Sequence, residues 1–344
     1  MSTSPPVAPY YSIEHVLEEI AYSIQEKLEK RMLGKPIKVI ILSGPTGVGK
    51  TSLSLELARL LPGEIISADS MQIYRGMDIG TAKVSKEVQD EIPHHLVDVR
   101  DIWEPYNVRN FFDEAIQSII EIASRNHAPI VVGGTGFYIH SLLFGPPQGP
   151  PSDPGIRAML EREEEKFGAE FLYEKLNSFD PEYAKTITPH DRHKIVRALE
   201  IIEISGKKVS AFAWKQRKHL PGFDFHCWFL HRPRDQLYER LSRRCDEMIR
   251  DGLLQEVLEL DRIGIRSNST ASASVGYRQT LDFLDSSRTP EDYENYVEQF
   301  KMASRHLAKR QFTWFRKEPD FRWIDLSELP EMEIVQMIAD DYLS

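Results

Sequence analysis

From Lys38 onward the chain alternates short apolar runs with stretches of helical period. "KVIILSG" is the first such run, followed by a helical stretch with Leu53, Leu57 and Leu60 on one face, then "EIISADS", a further helical stretch, and "APIVVGGTG". Runs that are apolar throughout, rather than at every second position, are strands buried on both faces, and strands separated by helices build a parallel sheet. The pattern predicts an α/β fold, a parallel sheet flanked by helices. Residues 1–37 read as an N-terminal helical extension: Ser12 caps it, Ile13, Val16, Leu17, Ile20, Ile24 and Leu28 form one stripe, and Gly34 with Pro36 stops it. Past Gly145 the periodicity changes. "GPPQGPPSDPG" is too rich in proline and glycine for either element, and Ile156 to Gly206 carries charges at helical spacing with no strand-like run. The expected organisation is a core domain of residues 38–145 and 222–344, interrupted by a helical insertion at 146–221. "FDFHCWFL" returns the chain to the sheet as one more strand, and the remainder to Ser344 is dominated by helical periods.

The first apolar run ends in Gly44-Pro45-Thr46-Gly47-Val48-Gly49-Lys50-Thr51, which fits the spacing GxxxxGK[ST]. Glycines at 44, 47 and 49 let successive backbone N–H groups turn inward, and the following helix adds its positive end, so the segment is suited to a di- or triphosphate. Lys50 supplies a mobile positive charge, and the Thr51 hydroxyl is placed to ligate Mg²⁺. A nucleotide-hydrolysing motor or switch would add a later apolar strand ending in an acidic residue. The best candidate, Ile130 to Val132, ends instead in Gly133-Gly134-Thr135-Gly136. The acidic residue stands at the end of the second strand, Asp69 in "SADS", on the sheet edge that also carries the phosphate loop. A phosphate cradle faced by one carboxylate suits a general base acting on a nucleophile that attacks an atom bonded to the diphosphate. A helix cap or an indirect Mg²⁺ ligand is the alternative use of Asp69.

Composition narrows the classes. The 344 residues carry a net charge of −10, against nonspecific nucleic-acid binding, but the basic residues cluster. Lys207, Lys208, Lys215, Arg217 and Lys218 accompany Phe212 and Trp214; Lys301, Arg305, Lys309, Arg310, Arg316 and Lys317 accompany Phe312, Trp314 and Phe315. Such clusters are either solvated helix faces over core aromatics or phosphate-contacting surfaces with stacking platforms, and composition leaves both open. Only Cys227 and Cys245 occur, without CxxC, and His94-His95 matches no metal-ligand spacing, so reduced thiols and no zinc site are expected. No apolar run is long enough for a membrane span and no signal peptide is evident, which places the expected location in the cytoplasm.

"GPTGVGKT", "ISADSMQIYRGMDIGTAK", "VGGTGFYI", "VGYRQ" and "LAKRQFTWFR" together resemble the tRNA dimethylallyltransferase (tRNA isopentenyltransferase) family, of bacterial type, from about Lys38 to Asp325. The resemblance implies that Gly44, Pro45, Thr46, Gly47, Val48, Gly49, Lys50 and Thr51 hold the diphosphate of dimethylallyl diphosphate, with Mg²⁺ at Thr51. It implies transfer of the dimethylallyl group to N6 of the adenosine 3′-adjacent to the anticodon, position 37, with Asp69 as base, and Thr135 and Lys50 as further catalytic residues. Asp69, Ser70, Met71 and Gln72 match one tRNA-contacting segment, Arg157 a basic substrate contact, and His193, Lys194, Ile195, Val196 and Arg197 a second segment. The implied partners are the tRNA anticodon stem-loop and the prenyl donor, with the protein acting as a monomer away from membranes. Three alternatives remain: an isopentenyltransferase acting on a free nucleotide, a phosphate-loop kinase using ATP, and a non-catalytic RNA-binding module gated by nucleotide.

Overall fold

The computed structural model describes residues 35–147, 149–212 and 218–344. The N-terminal helix expected before Lys38 lies outside them, as do Trp214, Lys215 and Arg217. The described chain divides into two compact units, Pro146–His219 and a sheet-bearing unit made of the residues on either side of it.

In the sheet-bearing unit the elements run β1 (Ile37–Ser43), α1 (Lys50–Leu60), β2 (Gly63–Ser67), α2 (Lys86–Glu91), β3 (His94–His95), α3 (Val108–Ser124), β4 (Ala128–Gly133) and α4 (Gly136–Phe144). The chain then builds the second unit from α5 (Pro154–Phe167), α6 (Ala169–Phe179), α7 (Pro181–Ala184) and α8 (Arg192–Ser205). It returns with β5 (Phe223–His231), α9 (Arg234–Arg250), α10 (Leu253–Arg262), α11 (Ser269–Ser272), α12 (Tyr277–Asp285), α13 (Pro290–Phe315), β6 (Arg322–Asp325) and α14 (Glu331–Leu343). The strands form one sheet in the order β3-β2-β4-β1-β5-β6, with every neighbouring pair parallel. A parallel α/β fold is therefore what the apolar runs specify: Val39 to Leu42 and Ile130 to Val131 are fully buried, as central strands covered on both faces must be.

Two strands were not visible in the pattern. The tail expected to be helical contains β6, a four-residue edge strand with only Ile324 buried, and β3 is two histidines long. Elements so short offer too few positions for a period to register. The histidine pair serves the edge: His95 Nε2 lies 2.7 Å from the buried Glu64 carboxylate, beside His127 Nδ1 at 2.7 Å and Arg125 Nη2 at 2.8 Å. Burial alone would raise the Glu64 carboxyl, but the hydrogen bonds from Arg125, His95 and His127 outweigh it and hold it down at about 2.

Register places the strand ends together. Ser43 pairs with Gly133 of β4 and with Phe229 of β5, and Ser67 of β2 pairs with Val132. The ladder continues one step past the strands, Ala68 N–H donating to Val132 O at 2.8 Å and Thr135 N–H to Ala68 O at 3.3 Å. This close approach requires Gly133, where a Cβ would stand 2.2 Å from the Ala68 carbonyl oxygen. Because backbone cannot yield as a side chain can, Gly133→Ala is expected to cost about 1–3 kcal/mol, read as a lowered midpoint of thermal unfolding. An unchanged midpoint would show that β2 and β4 are not locked there.

The second unit has its own core, formed by Leu160, Leu172, Leu176, Ala184, Ile195, Leu199 and Ile201 among others.

Candidate functional site

The residues after β1, β2 and β4 converge on the carboxyl-terminal edge of the sheet, where crossovers leave a crevice for a ligand. They line a cavity of about 590 Å³ with residues 46–52, Asp69, Gln72, Gly134, Arg240, Arg244 and Gln311 among its walls. The phosphate loop turns through Gly47 (φ 75°) and Gly49 (φ 119°), conformations that favour glycine. The N–H of Val48 turns back to Pro45 O (3.4 Å) and that of Thr46 donates to Gln311 Oε1 (2.8 Å). The amides of Gly47, Gly49, Lys50 and Thr51 have no acceptor among the described residues. Four unpaired N–H groups at a helix N-terminus form a ready anion site. The loop's carbonyls are tied elsewhere: Gly44 O and Pro45 O accept from Lys50 Nζ (2.9 and 3.0 Å), Gly47 O from Arg240 Nε (2.9 Å) and Val48 O from Arg232 Nε (3.0 Å). Each such bond fixes a peptide plane, and the buried Val48 side chain anchors the loop from below.

The Lys50 ammonium is pushed down to about 8, chiefly by burial and then by the neighbouring Arg244, with Asp69 opposing. Burial likewise lowers the Arg244 guanidinium, and Asp69 opposes this too. An anion entering here would meet two poorly solvated cations, whose attraction is stronger than it would be in water.

Asp69 lines the same cavity as the loop, near Lys50 and Arg244. Its Oδ1 accepts the N–H of Met71 (2.9 Å), a local turn that fixes the carboxylate, while Oδ2 has no hydrogen bond among the described residues. Thr135 Oγ1 accepts the N–H of Ser70 at 3.2 Å, so the β4 turn, lying between β1 and β2, braces the Asp69 segment. Gln72 lines the cavity, held by Ser67 Oγ and by Thr81 O, whereas Met71 packs against the core. Of the segment 69–72, Asp69 and Gln72 thus line the cavity and Ser70 offers its backbone.

Sequence reasoning missed Arg240, Arg244 and Gln311. The two arginines lie on α9 four residues apart, hence on one face, beside its buried positions Leu237, Leu241, Cys245 and Met248. An arginine next to the apolar stripe of an otherwise charged helix was the available signal. Gln311 bridges two walls, accepting from Thr46 N–H and donating to Gly134 O at 3.0 Å. In the same helix Phe312 and Phe315 pack on Phe229 with ring centroids 5.6 and 5.0 Å away, so they are core aromatics, while Trp314 is 39% exposed. Lys301 pairs with Asp246 at 2.8 Å and Arg305 donates to Ser242 Oγ at 3.0 Å. Phe212 packs against the core of the second unit.

In that unit the expected tRNA-contacting segment is split: Ile195 and Val196 are 1% and 8% exposed, because α8 turns their side chains into the unit's core. His193 and Lys194 are exposed, and Arg157 and Arg197 both meet the Glu200 carboxylate.

Sheet and cavity define a P-loop-type α/β protein whose anion cradle shares its cavity with the Asp69 carboxylate. The family model described as IPP transferase matches residues 72–318. The tRNA dimethylallyltransferase of Protochlamydia amoebophila is 51% identical over 330 residues, 96% of each chain, and that of Chlamydia pneumoniae is 48% identical over 89% of this chain and 90% of its own. Among solved structures, the full-length tRNA isopentenylpyrophosphate transferase of Bacillus halodurans is 38% identical (TM-score 0.65; 89% of this chain and 97% of that one). A eukaryotic dimethylallyltransferase acting on tRNA is 29% identical (TM-score 0.72; 89% and 79%). The chain belongs to the tRNA dimethylallyltransferase family.

Proposed function

We propose that this protein transfers the dimethylallyl group of dimethylallyl diphosphate to N6 of the adenosine 3′-adjacent to the anticodon, position 37, of tRNA. The observation that carries the proposal is the pairing, in one cavity, of an unsatisfied amide cradle with a carboxylate fixed by its own turn. The cradle receives the diphosphate, and Lys50 and Arg244 balance the charge that grows on it as the C1–O bond breaks. The leaving pyrophosphate keeps the electron pair of that bond, the N6 lone pair forms the new bond to C1, and the N6 proton passes to Asp69. An exocyclic amine conjugated with its ring has little basicity until that proton is drawn away, which is the work a carboxylate can do. The Thr135 hydroxyl, accepting from Ser70 N–H, keeps its own hydrogen for the acceptor.

Mg²⁺ fits this donor set. The Thr51 hydroxyl lines the cavity as an oxygen donor, and among the described residues no group of three or more His, Cys, Asp or Glu offers an all-protein cage. An ion that keeps several waters and takes the rest of its shell from substrate phosphate suits such a sparse site. When bound, it would withdraw charge from the departing diphosphate. The acceptor base must leave its stack, which costs least in a single-stranded loop, and the second unit with its exposed basic residues is the proposed clamp for the stem-loop. Among the described residues no helix is long and apolar enough to cross a membrane. We assign the protein to the cytoplasm, acting as a monomer.

The test is incubation with Mg²⁺, labelled dimethylallyl diphosphate and unmodified tRNA. Label in RNA with AMP inert is expected. Label in AMP alone would move the reaction to a free nucleotide, and phosphate transfer from ATP would make the protein a kinase.

A pH dependence follows from Lys50. In the free protein this group loses its proton as pH rises through about 8, while a bound diphosphate favours the charged form, so above that pH binding takes up a proton. The donor KM is expected to be flat below about pH 8 and to rise above it, approaching a tenfold increase per pH unit. Initial rates at varied donor concentration check this; a flat KM across the range would contradict it.

A further inference from the structure

Glu200 sits on α8 with no exposed side-chain surface, yet it carries a charge. Five donors converge on it: Ser152 Oγ (2.9 Å), Asp153 N–H (2.7 Å), Arg157 Nε (3.1 Å), Arg157 Nη2 (3.3 Å) and Arg197 Nη1 (2.5 Å). Burial would raise its carboxyl, but the hydrogen bonds led by Arg197 and Arg157 outweigh that and hold it below the ordinary range. The arginines are not buried with it, their side chains being 45% and 32% exposed. Arg197 Nη2 also donates to Pro150 O at 2.5 Å, whereas Arg157 Nη1 and Arg197 Nε have no acceptor among the described residues. Both guanidiniums therefore keep spare donors while their other ends are fixed.

An ion network of this kind is poor evidence of a purely stabilising role, since apolar residues of similar volume stabilise a core as well or better. What a buried carboxylate adds is orientation. An arginine already held by one hydrogen-bonded edge loses less rotamer freedom when the other edge meets a phosphate. We infer that Glu200 is a positioning residue for the tRNA substrate: from beneath, it sets Arg157 and Arg197 as one preformed fork for a backbone phosphate. Asp153 joins the same construction, its N–H on Glu200 and its Oδ1 capping α5 through Gly155 N–H and Ile156 N–H, so the fork is tied to the start of one helix and the middle of another.

The inference rests on tRNA being the substrate, and the test separates the two. Glu200→Gln, Arg157→Gln and the double variant are compared with the unaltered protein for the KM of tRNA, kcat, the KM of dimethylallyl diphosphate, the salt dependence of tRNA binding and thermal unfolding. Removing a negative charge would by electrostatics alone tighten RNA binding, so the direction is diagnostic. Glu200→Gln is expected to raise the tRNA KM roughly tenfold and to reduce the salt slope by about 1, with kcat at saturating tRNA and the donor KM unchanged. The double variant is expected to fall short of the sum of the two single effects, because Arg157→Gln already removes one of the two contacts that Glu200 sets. A folded Glu200→Gln with unchanged or lower tRNA KM would overturn the inference, as would full additivity. Should Glu200→Gln fail to fold, Glu200→Asp, which keeps the charge and shortens the reach, decides: a raised tRNA KM supports positioning, and an unchanged KM or a second failure to fold overturns it. Absence of transfer to tRNA by the unaltered protein would instead refute the proposed function.

Discussion

Asp69→Asn is expected to lower kcat by about 10²–10⁴-fold while leaving the KM values for donor and tRNA within a few-fold of the original. Asparagine keeps the shape of the side chain and still offers an oxygen to the Met71 N–H, so the turn that fixes residue 69 survives. What is lost is the ability to take the N6 proton. Thermal unfolding should be unchanged, and single-turnover rates with both substrates saturating isolate the chemical step. Retention of more than a tenth of the rate would assign Asp69 to turn-making alone. Loss of donor binding with intact chemistry would assign it to Mg²⁺.

Lys50→Ala attacks the other half of the reaction. The half-buried Lys50 ammonium at the phosphate loop is folded onto Gly44 O and Pro45 O, and is the group able to move from those carbonyls to a ligand. Its removal is expected to lower kcat/KM for dimethylallyl diphosphate by about 10²–10³-fold, the usual effect of deleting one group that meets developing negative charge. The amide cradle and Arg244 remain, so measurable activity should persist and the tRNA KM should stay near its original value. Complete loss with an unfolded protein would point instead to the two carbonyls left without a donor. A comparable fall in tRNA affinity would contradict the assignment of the loop to the donor.

Legibility in the sequence followed the length and regularity of each feature. Runs such as Val39 to Leu42 and Ile130 to Val132 register as buried strands because every residue in them must be apolar. The phosphate loop registers because glycine at 47 and 49 answers a backbone demand, and Asp69 because parallel strands bring their ends together. β3 and β6 stayed hidden because two- and four-residue edge strands leave almost no pattern. Arg240 and Arg244 were lost among the charges of α9, since only the fold says which face of a charged helix meets the loop. The burial of Ile195 and Val196 went unread for the opposite reason: a contiguous segment was taken as one surface, whereas a helix alternates its faces and sends apolar members inward. Arg157 and Arg197 are 40 positions apart in the chain, and nothing local announces that one buried carboxylate joins them.

The most direct test digests the treated tRNA to nucleosides and identifies the product by mass, using one substrate with adenosine at position 37 and one with guanosine there. The expected result is N6-dimethylallyladenosine from the first and no prenylated nucleoside from the second. A prenyl group on any other nucleoside, or equal product from both substrates, would contradict N6 of that adenosine as the nucleophile.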